Sequence, residues 1–233
     1  MRMPRILTMA VVFIMLSAEA SCMPIPSKRN SMSTDDLDQI WAESSGSNRE
    51  QDAGVRPLYQ AIVDQDYQKV EQLLGSGFSA NDLLHKQAYS PLMVALSLSD
   101  RKMVELLLKN GANLNYVSDD IIYTTPLAVA LSTAMHEAAA QGADAADYKN
   151  FWFLIDSGAD INLEFQGGDI AIYAATMGQD ALVNQLLQKG YRRDLSHLLR
   201  TINIRVVDDR TQPEKDKAIA TITRLIKESD RAL

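Results

Sequence analysis

A short phrase recurs along this chain at nearly constant spacing, and the recurrence restricts the fold more than any other feature. RPLYQAI (56–62), SPLMVAL (90–96), TPLAVAL (125–131) and DIAIYAA (169–175) follow one another at steps of 34, 35 and 44 residues. Each leads into a second apolar-periodic stretch that stops at a glycine: YQKVEQLLGSG (67–77), RKMVELLLKNG (101–111), KNFWFLIDSG (149–158) and ALVNQLLQKG (181–190). A period of this size marks stacked copies of one supersecondary unit, because a single copy cannot bury its apolar face. From the proline position to the glycine there are 20 residues in the first, second and fourth copies and 32 in the third, which therefore carries an insertion of 12 residues within STAMHEAAAQGADAADYKN (132–150).

The chemistry of the phrase predicts helices. Ser90 and Thr125 suit helix N-caps, and Pro91 and Pro126 suit the first helical position, where the missing N–H is not needed. Ala61, Ala95, Ala130 and Ala174 let neighbouring helices approach closely, while Gly77, Gly111, Gly158 and Gly190 suit a left-handed C-terminal cap. Each copy reads as two antiparallel helices and a projecting loop, with helices only over 55–230. Past Asp194, LSHLLRTINIRVV (195–207) and PEKDKAIATITRLIKES (213–229) predict two more helices, a degenerate fifth unit capping the stack with a polar outer face.

TPLAVAL, LLLKNGANLN and FLIDSGADIN resemble the ankyrin repeat, a β-turn followed by two helices, over roughly residues 55–194. The resemblance implies an all-α ankyrin-repeat solenoid of four recognisable units plus a C-terminal capping helix pair. Two units depart from the pattern. The first has Gly77-Phe78-Ser79 in place of Gly-Ala-Asn; the fourth has Ile170 in place of proline and ends Gly190-Tyr191-Arg192, as end units or loops shaped for another purpose would.

The N-terminus differs in kind. Arg2 and Arg5 precede an uncharged, mostly apolar run from Ile6 to Ala18, too short for the roughly 20 residues a membrane-spanning helix requires, so residues 1–21 read as a signal peptide. Ala18-Glu19-Ala20 fits ordinary signal cleavage. Ala20-Ser21-Cys22 resembles the end of a bacterial lipobox, and the placement of the chain's single cysteine favours lipidation of Cys22, although Glu19 stands where a lipobox prefers an apolar residue. Either exit predicts a periplasmic address, with membrane contact only through an anchor at Cys22. One cysteine also excludes a disulfide framework within the chain. Residues 22–53, rich in Ser, Asn, Asp and Pro, read as a flexible tether in which Thr34 to Trp41 could form a short helix. The repeat domain then spans 54–233.

The formal net charge is −7 and there is no basic stripe, only the pairs Lys28-Arg29 and Arg192-Arg193, which argues against nucleic acid as a partner. His85, His136 and His197 lack ligands at metal-binding spacing, and no nucleophile elbow, phosphate-cradling loop or Cys–His pair occurs, so no catalytic residue, metal or cofactor is expected. Phe151-Trp152-Phe153 lies at helix-core spacing and reads as packing for the insertion.

Surface remains. In repeat solenoids the loops line one edge of a binding surface whose side chains the stack does not need. The long loops NDLLHKQAY (81–89), NYVSDDIIY (115–123) and NLEFQGGD (162–169) carry Asp82, His85, Tyr89, Tyr116, Asp119, Asp120, Tyr123, Phe165 and Gln166, the expected partner-binding residues. Aromatic anchors dominate interface energies, and Asp82, Asp119, Asp120, Glu164 and Asp169 along the same edge favour a basic partner surface. About half of the apolar loop residues, among them Leu83, Ile121, Tyr123 and Phe165, are expected to seal neighbouring repeats instead. By resemblance to exported ankyrin-type immunity proteins of bacterial antagonism systems, the expected function is to bind and neutralise a secreted effector enzyme such as a phospholipase, as a monomer when alone. The competing reading by resemblance is an envelope scaffold for a periplasmic enzyme such as a catalase; a third, an enzyme hidden in the last 40 residues, has almost no room.

Overall fold

A computed structural model describes residues 54, 56–83, 90–118, 124–141, 146–165, 168–206 and 209–231. The expected leader and tether, with Cys22 and the Thr34–Trp41 segment, lie outside the described residues. The chain forms two compact halves, one ending at Leu154 and the other beginning at Ile155.

The N-terminal half contains α1 (Arg56–Val63), α2 (Tyr67–Gly75), α3 (Pro91–Ser97), α4 (Arg101–Lys109), α5 (Pro126–Gln141) and most of α6 (Lys149–Asp156). α1 pairs with α2 and α3 with α4, while α1, α3 and α5 form one packed row. Ser90 Oγ accepts from the Met93 N–H, and Thr125 Oγ1 from the Ala128 N–H, with Pro91 and Pro126 at the first helical positions. Asp66 and Asp100 cap α2 and α4 in the same way, accepting from Lys69 and Met103. Leu58, Ile62, Leu92, Leu96, Met103, Leu107 and Leu131 are wholly or almost wholly buried, and the small residues Ala61, Ala95 and Ala130 are buried between the stacked helices.

The inserted residues of the third repeat lengthen its first helix: α5 runs 16 residues where α3 has 7. Its second half, Ala134 to Gln141, is rich in alanine, the strongest helix former, with neither glycine nor proline to stop it. Phe151 on α6 is fully buried and meets Trp152 and Tyr148 edge-to-face, at 5.1 and 6.4 Å between centroids.

The C-terminal half holds the end of α6, a two-stranded antiparallel hairpin of β1 (Glu164–Phe165) and β2 (Gly168–Asp169), then α7 (Ile170–Thr176), α8 (Asp180–Gln188), α9 (Leu195–Asn203) and α10 (Gln212–Asp230). The hairpin corrects the expectation of helices alone: the loop before the fourth repeat folds back so that Glu164 pairs with Asp169 and Phe165 with Gly168. It adds no sheet core. α7 packs on α8 and α9, and α10 covers α8 and α9 through Ala218, Ile222 and Leu225. Gly77, Gly111, Gly158 and Gly190 all have φ between 83° and 109°, the left-handed stop that the repeats require.

Candidate protein-binding edge

Each loop begins with the glycine stop and then closes on itself. The Asn81 N–H donates to Ser79 Oγ, the Asn115 N–H to Asn113 Oδ1 and the Asn162 N–H to Asp160 Oδ1, three local turns built by a short polar side chain two residues earlier. The next contact reaches from one loop to its neighbour. Asn81 Nδ2 donates to the Gly111 carbonyl at 2.9 Å and Asn81 Oδ1 accepts from the Asn113 N–H at 2.7 Å. In the C-terminal half Asn162 Oδ1 accepts from the Arg192 N–H at 3.2 Å. The final asparagine of the Gly-Ala-Asp/Asn-x-Asn phrase thus staples successive loops, holding them in a row within each half.

Of the expected site residues, Asp82, Tyr116 and Phe165 lie on these described loops, all half-buried. The Asp82 carboxylate accepts from the Ser79 N–H at 2.9 Å, and its carbonyl accepts from the Tyr59 hydroxyl at 3.2 Å. Phe165 meets Tyr173 of α7 edge-to-face at 6.3 Å between centroids, so the hairpin is seated on the helix that follows it. His85, Tyr89, Asp119, Asp120, Tyr123 and Gln166 lie outside the described residues. Asp82 and Tyr116 belong to successive loops of the N-terminal half and Phe165 to the other half.

One expectation about the acidic edge needs correction. Asp169 is 1 % exposed: it caps α7, accepting from the N–H groups of Ala171 and Ile172, and receives the Tyr191 hydroxyl at 2.6 Å. A carboxylate this enclosed cannot line a surface. Glu164 is exposed but ion-paired with Arg193, whose guanidinium also donates to the Asn162 carbonyl, so its charge is locally balanced. Arg192, though exposed, turns its guanidinium back onto the Leu187 and Tyr191 carbonyls at 2.8 and 2.6 Å.

The Tyr191–Asp169 pair was not legible as a pair. Its only sequence signal is a tyrosine where other repeats have alanine or phenylalanine. Burial and the bond to Asp169 push the Tyr191 hydroxyl pKa well above the ordinary tyrosine range. A second unforeseen contact lies in the same half: Arg205 donates to the Ala175 carbonyl and pairs with Asp180, which is buried at the start of α8. Asn184 Nδ2 ties α8 to α10, donating to the Glu214 carbonyl and carboxylate at 2.9 and 2.7 Å.

His136 lies half-buried on α5, and His197 lies in the first turn of α9 beside the capping Asp194. Among the described residues no three acidic, histidine or cysteine side chains converge on a common point, and no helix is long and apolar enough to cross a membrane.

What decides the type of repeat is the coincidence of the turn, the helix pair and the stapling asparagine with a family pattern. Residues 89–119, which include α3, α4 and the loop between Gly111 and Ser118, match the ankyrin repeat family. That segment is an ankyrin repeat, set in an all-α repeat solenoid. The chain is also similar to the ankyrin repeat protein FPV240 of fowlpox virus (strain NVSL), at 35 % identity over 63 residues, 27 % of this chain and 15 % of that relative. The chain therefore spans only a small part of that relative's length, and the similarity is one of repeats. Ankyrin repeats are a protein–protein interaction module and not a catalytic family, and the solenoid here is all-α among the described residues apart from the four-residue hairpin.

Proposed function

We propose that this ankyrin-repeat protein is a periplasmic immunity protein that grips and neutralises a secreted antibacterial effector enzyme, of which a phospholipase is one example. The observation that carries the reading is the stapled loop row. Backbone and asparagine bonds fix the loop frame of the N-terminal half, so Asp82 and Tyr116 are held in place without being sealed in the core. A preformed frame lowers the ordering cost of binding, which favours a tight inhibitor. The leader-like N-terminus and the lipobox-like Ala20-Ser21-Cys22 support an envelope address, and the acidic balance of −7 supports a basic partner. On this reading the protein catalyses nothing.

The test combines capture and challenge. Full-length protein purified with the enzymes encoded beside it should retain one of them, identified by mass spectrometry. Tyr116→Ala with Asp120→Lys should weaken that complex at least about tenfold, with unchanged urea unfolding, and leave the producing cell open to its own effector. Loss of the gene that spared cells from a sibling strain yet sensitised them to peroxide would replace immunity with support of an envelope enzyme such as a catalase.

A further inference from the structure

Asn110-Gly111, at the end of α4, is the one Asn-Gly pair in the sequence. The same cap position holds Ser76 after α2 and Lys189 after α8, and Ser157 precedes the glycine stop after α6. The second repeat alone therefore places an amide side chain there. A following glycine makes that amide reactive, because the glycine nitrogen has no neighbouring Cβ to shield it. The Gly111 nitrogen attacks Cγ of Asn110, the Cγ–Nδ2 bond breaks, and ammonia leaves with the proton from the Gly111 nitrogen. Water then opens the five-membered imide at one of its two carbonyls. One opening leaves a carboxylate on an ordinary backbone; the other leaves an isoaspartate, whose main chain is longer by a methylene. The steps are redox-neutral and need only water.

The fold exposes this pair and also holds it closed. Asn110 and Gly111 are both exposed, and nothing lies within 4 Å of where a Cβ on Gly111 would stand. Attack requires the Asn110 side chain to swing over a Gly111 nitrogen that has given up its proton, and the surrounding bonds oppose both events. Asn110 Nδ2 donates to the Leu106 carbonyl at 2.8 Å, and the Gly111 N–H donates to the Leu108 carbonyl at 3.0 Å. These two bonds belong to the last turn of a helix, and helix ends open far more readily than a core. The remaining restraint is the loop staple: Asn81 Nδ2 holds the Gly111 carbonyl and Asn81 Oδ1 holds the Asn113 N–H.

We propose that Asn110 is a site of spontaneous deamidation, gated by opening of the last turn of α4 and guarded by Asn81, and that its conversion unpins the loops of the first two repeats. The new carboxylate stands at the C-terminal end of a helix, where the dipole disfavours an anion. The isoaspartate form also lengthens the chain immediately before the Gly111 carbonyl, which moves that acceptor away from Asn81. This goes beyond partner recognition and holds whatever the loops bind.

The full-length protein, held in mildly alkaline buffer and sampled over time by peptide mapping, should convert at Asn110, with isoaspartate methyltransferase labelling the same peptide. Conversion should be slower than in a free peptide of residues 109–113 by the factor that slows hydrogen exchange at the Gly111 amide, since both report the same opening. Asn81→Ala should speed conversion about tenfold, the effect of removing two hydrogen bonds from the closed state. Asp66→Ala, which weakens α2 without touching these bonds, should leave the rate within about twofold. Asn110→Ser, which copies the first repeat, should abolish the modification and keep the fold. In converted protein the Asn113 amide should lose about tenfold in exchange protection. Absence of conversion over the time this slowing sets, a rate equal to that of the free peptide, or indifference to Asn81→Ala overturns the gated site. Unchanged protection at Asn113 after conversion overturns the unpinning.

Discussion

Tyr191 shows how one residue that departs from the repeat pattern can be structural. It follows the glycine stop of the fourth repeat, where Ala112 and Ala159 stand in the second and third, and it is fully buried with its hydroxyl on Asp169. Removing the hydroxyl leaves a buried carboxylate oxygen short of a donor, so Tyr191→Phe should destabilise the C-terminal half by about 2 kcal/mol at neutral pH, measured by urea unfolding. The same contact predicts a pH signature. Because the folded-state pKa of Tyr191 is raised, the folded form keeps its proton where the unfolded chain, with an ordinary value near 10, releases it. Stability from this group is therefore complete below about pH 10 and falls as pH rises toward the folded value, by up to about 1.4 kcal/mol per pH unit. The gap between wild type and Tyr191→Phe should narrow by about that amount between pH 9 and pH 11; a constant gap would remove burial of this hydroxyl from the account. The neighbouring acid, Asp169, read from the sequence as an edge residue, because Asp in a polar loop carries no sign of whether it caps the next helix. Only the backbone geometry of α7 separates the two roles.

At the scale of elements the helix pairs were legible, because cap, proline, alanine and glycine agree at fixed offsets in the repeats. Ser90, Thr125 and the four glycine stops behave as those offsets require. Less legible were the turns between paired helices. Gln65 and Ser99 adopt left-handed backbone at φ 56° and 53°, where the fourth repeat has Gly178 at 77°; a non-glycine residue in that conformation leaves no mark in the sequence. Nor did the length of the insertion disclose its form, since 12 extra residues fit a loop as easily as the extra helical turns that the alanine run produces. The caps of the second helices are the testable part. Asp66 is exposed and accepts one backbone N–H, whereas Asp100 is buried and accepts both the Met103 N–H and the Tyr67 hydroxyl, the latter at 3.0 Å. Asp66→Ala should cost about 1 kcal/mol, the usual value of a cap, and Asp100→Ala about 2 kcal/mol or more, because it also removes the carboxylate that accepts from the Tyr67 hydroxyl. Equal losses in urea unfolding would mean that the Tyr67 bond contributes nothing.

For the molecule as a whole, the repeat period predicts an array whose layers contact only their neighbours, and the way damage spreads tests that expectation. In such an array stability is approximately a sum of layer and interface terms, so removing one end weakens the adjoining layers first. α10 is the cover at the C-terminal end: Ala218, Ile222 and Leu225 are buried against α8 and α9, and Asn184 is anchored on Glu214. A chain stopped after Arg210 would expose the faces of α8 and α9 that those residues cover. With about 1.5–3 kcal/mol for each large apolar side chain that loses burial, Ile222 and Leu225 alone put the loss near 4 kcal/mol. That is a large share of the roughly 5–15 kcal/mol typical of a folded domain. The loss should be local in its first effect. Hydrogen exchange of the truncated chain should show α8 and α9 losing protection and α7 following, while α1 to α4, which belong to the other compact half, keep theirs. Loss of protection in α1 to α4 to the same degree as in α8 would show that the two halves unfold as one cooperative body, and nearest-neighbour stacking would no longer describe this solenoid.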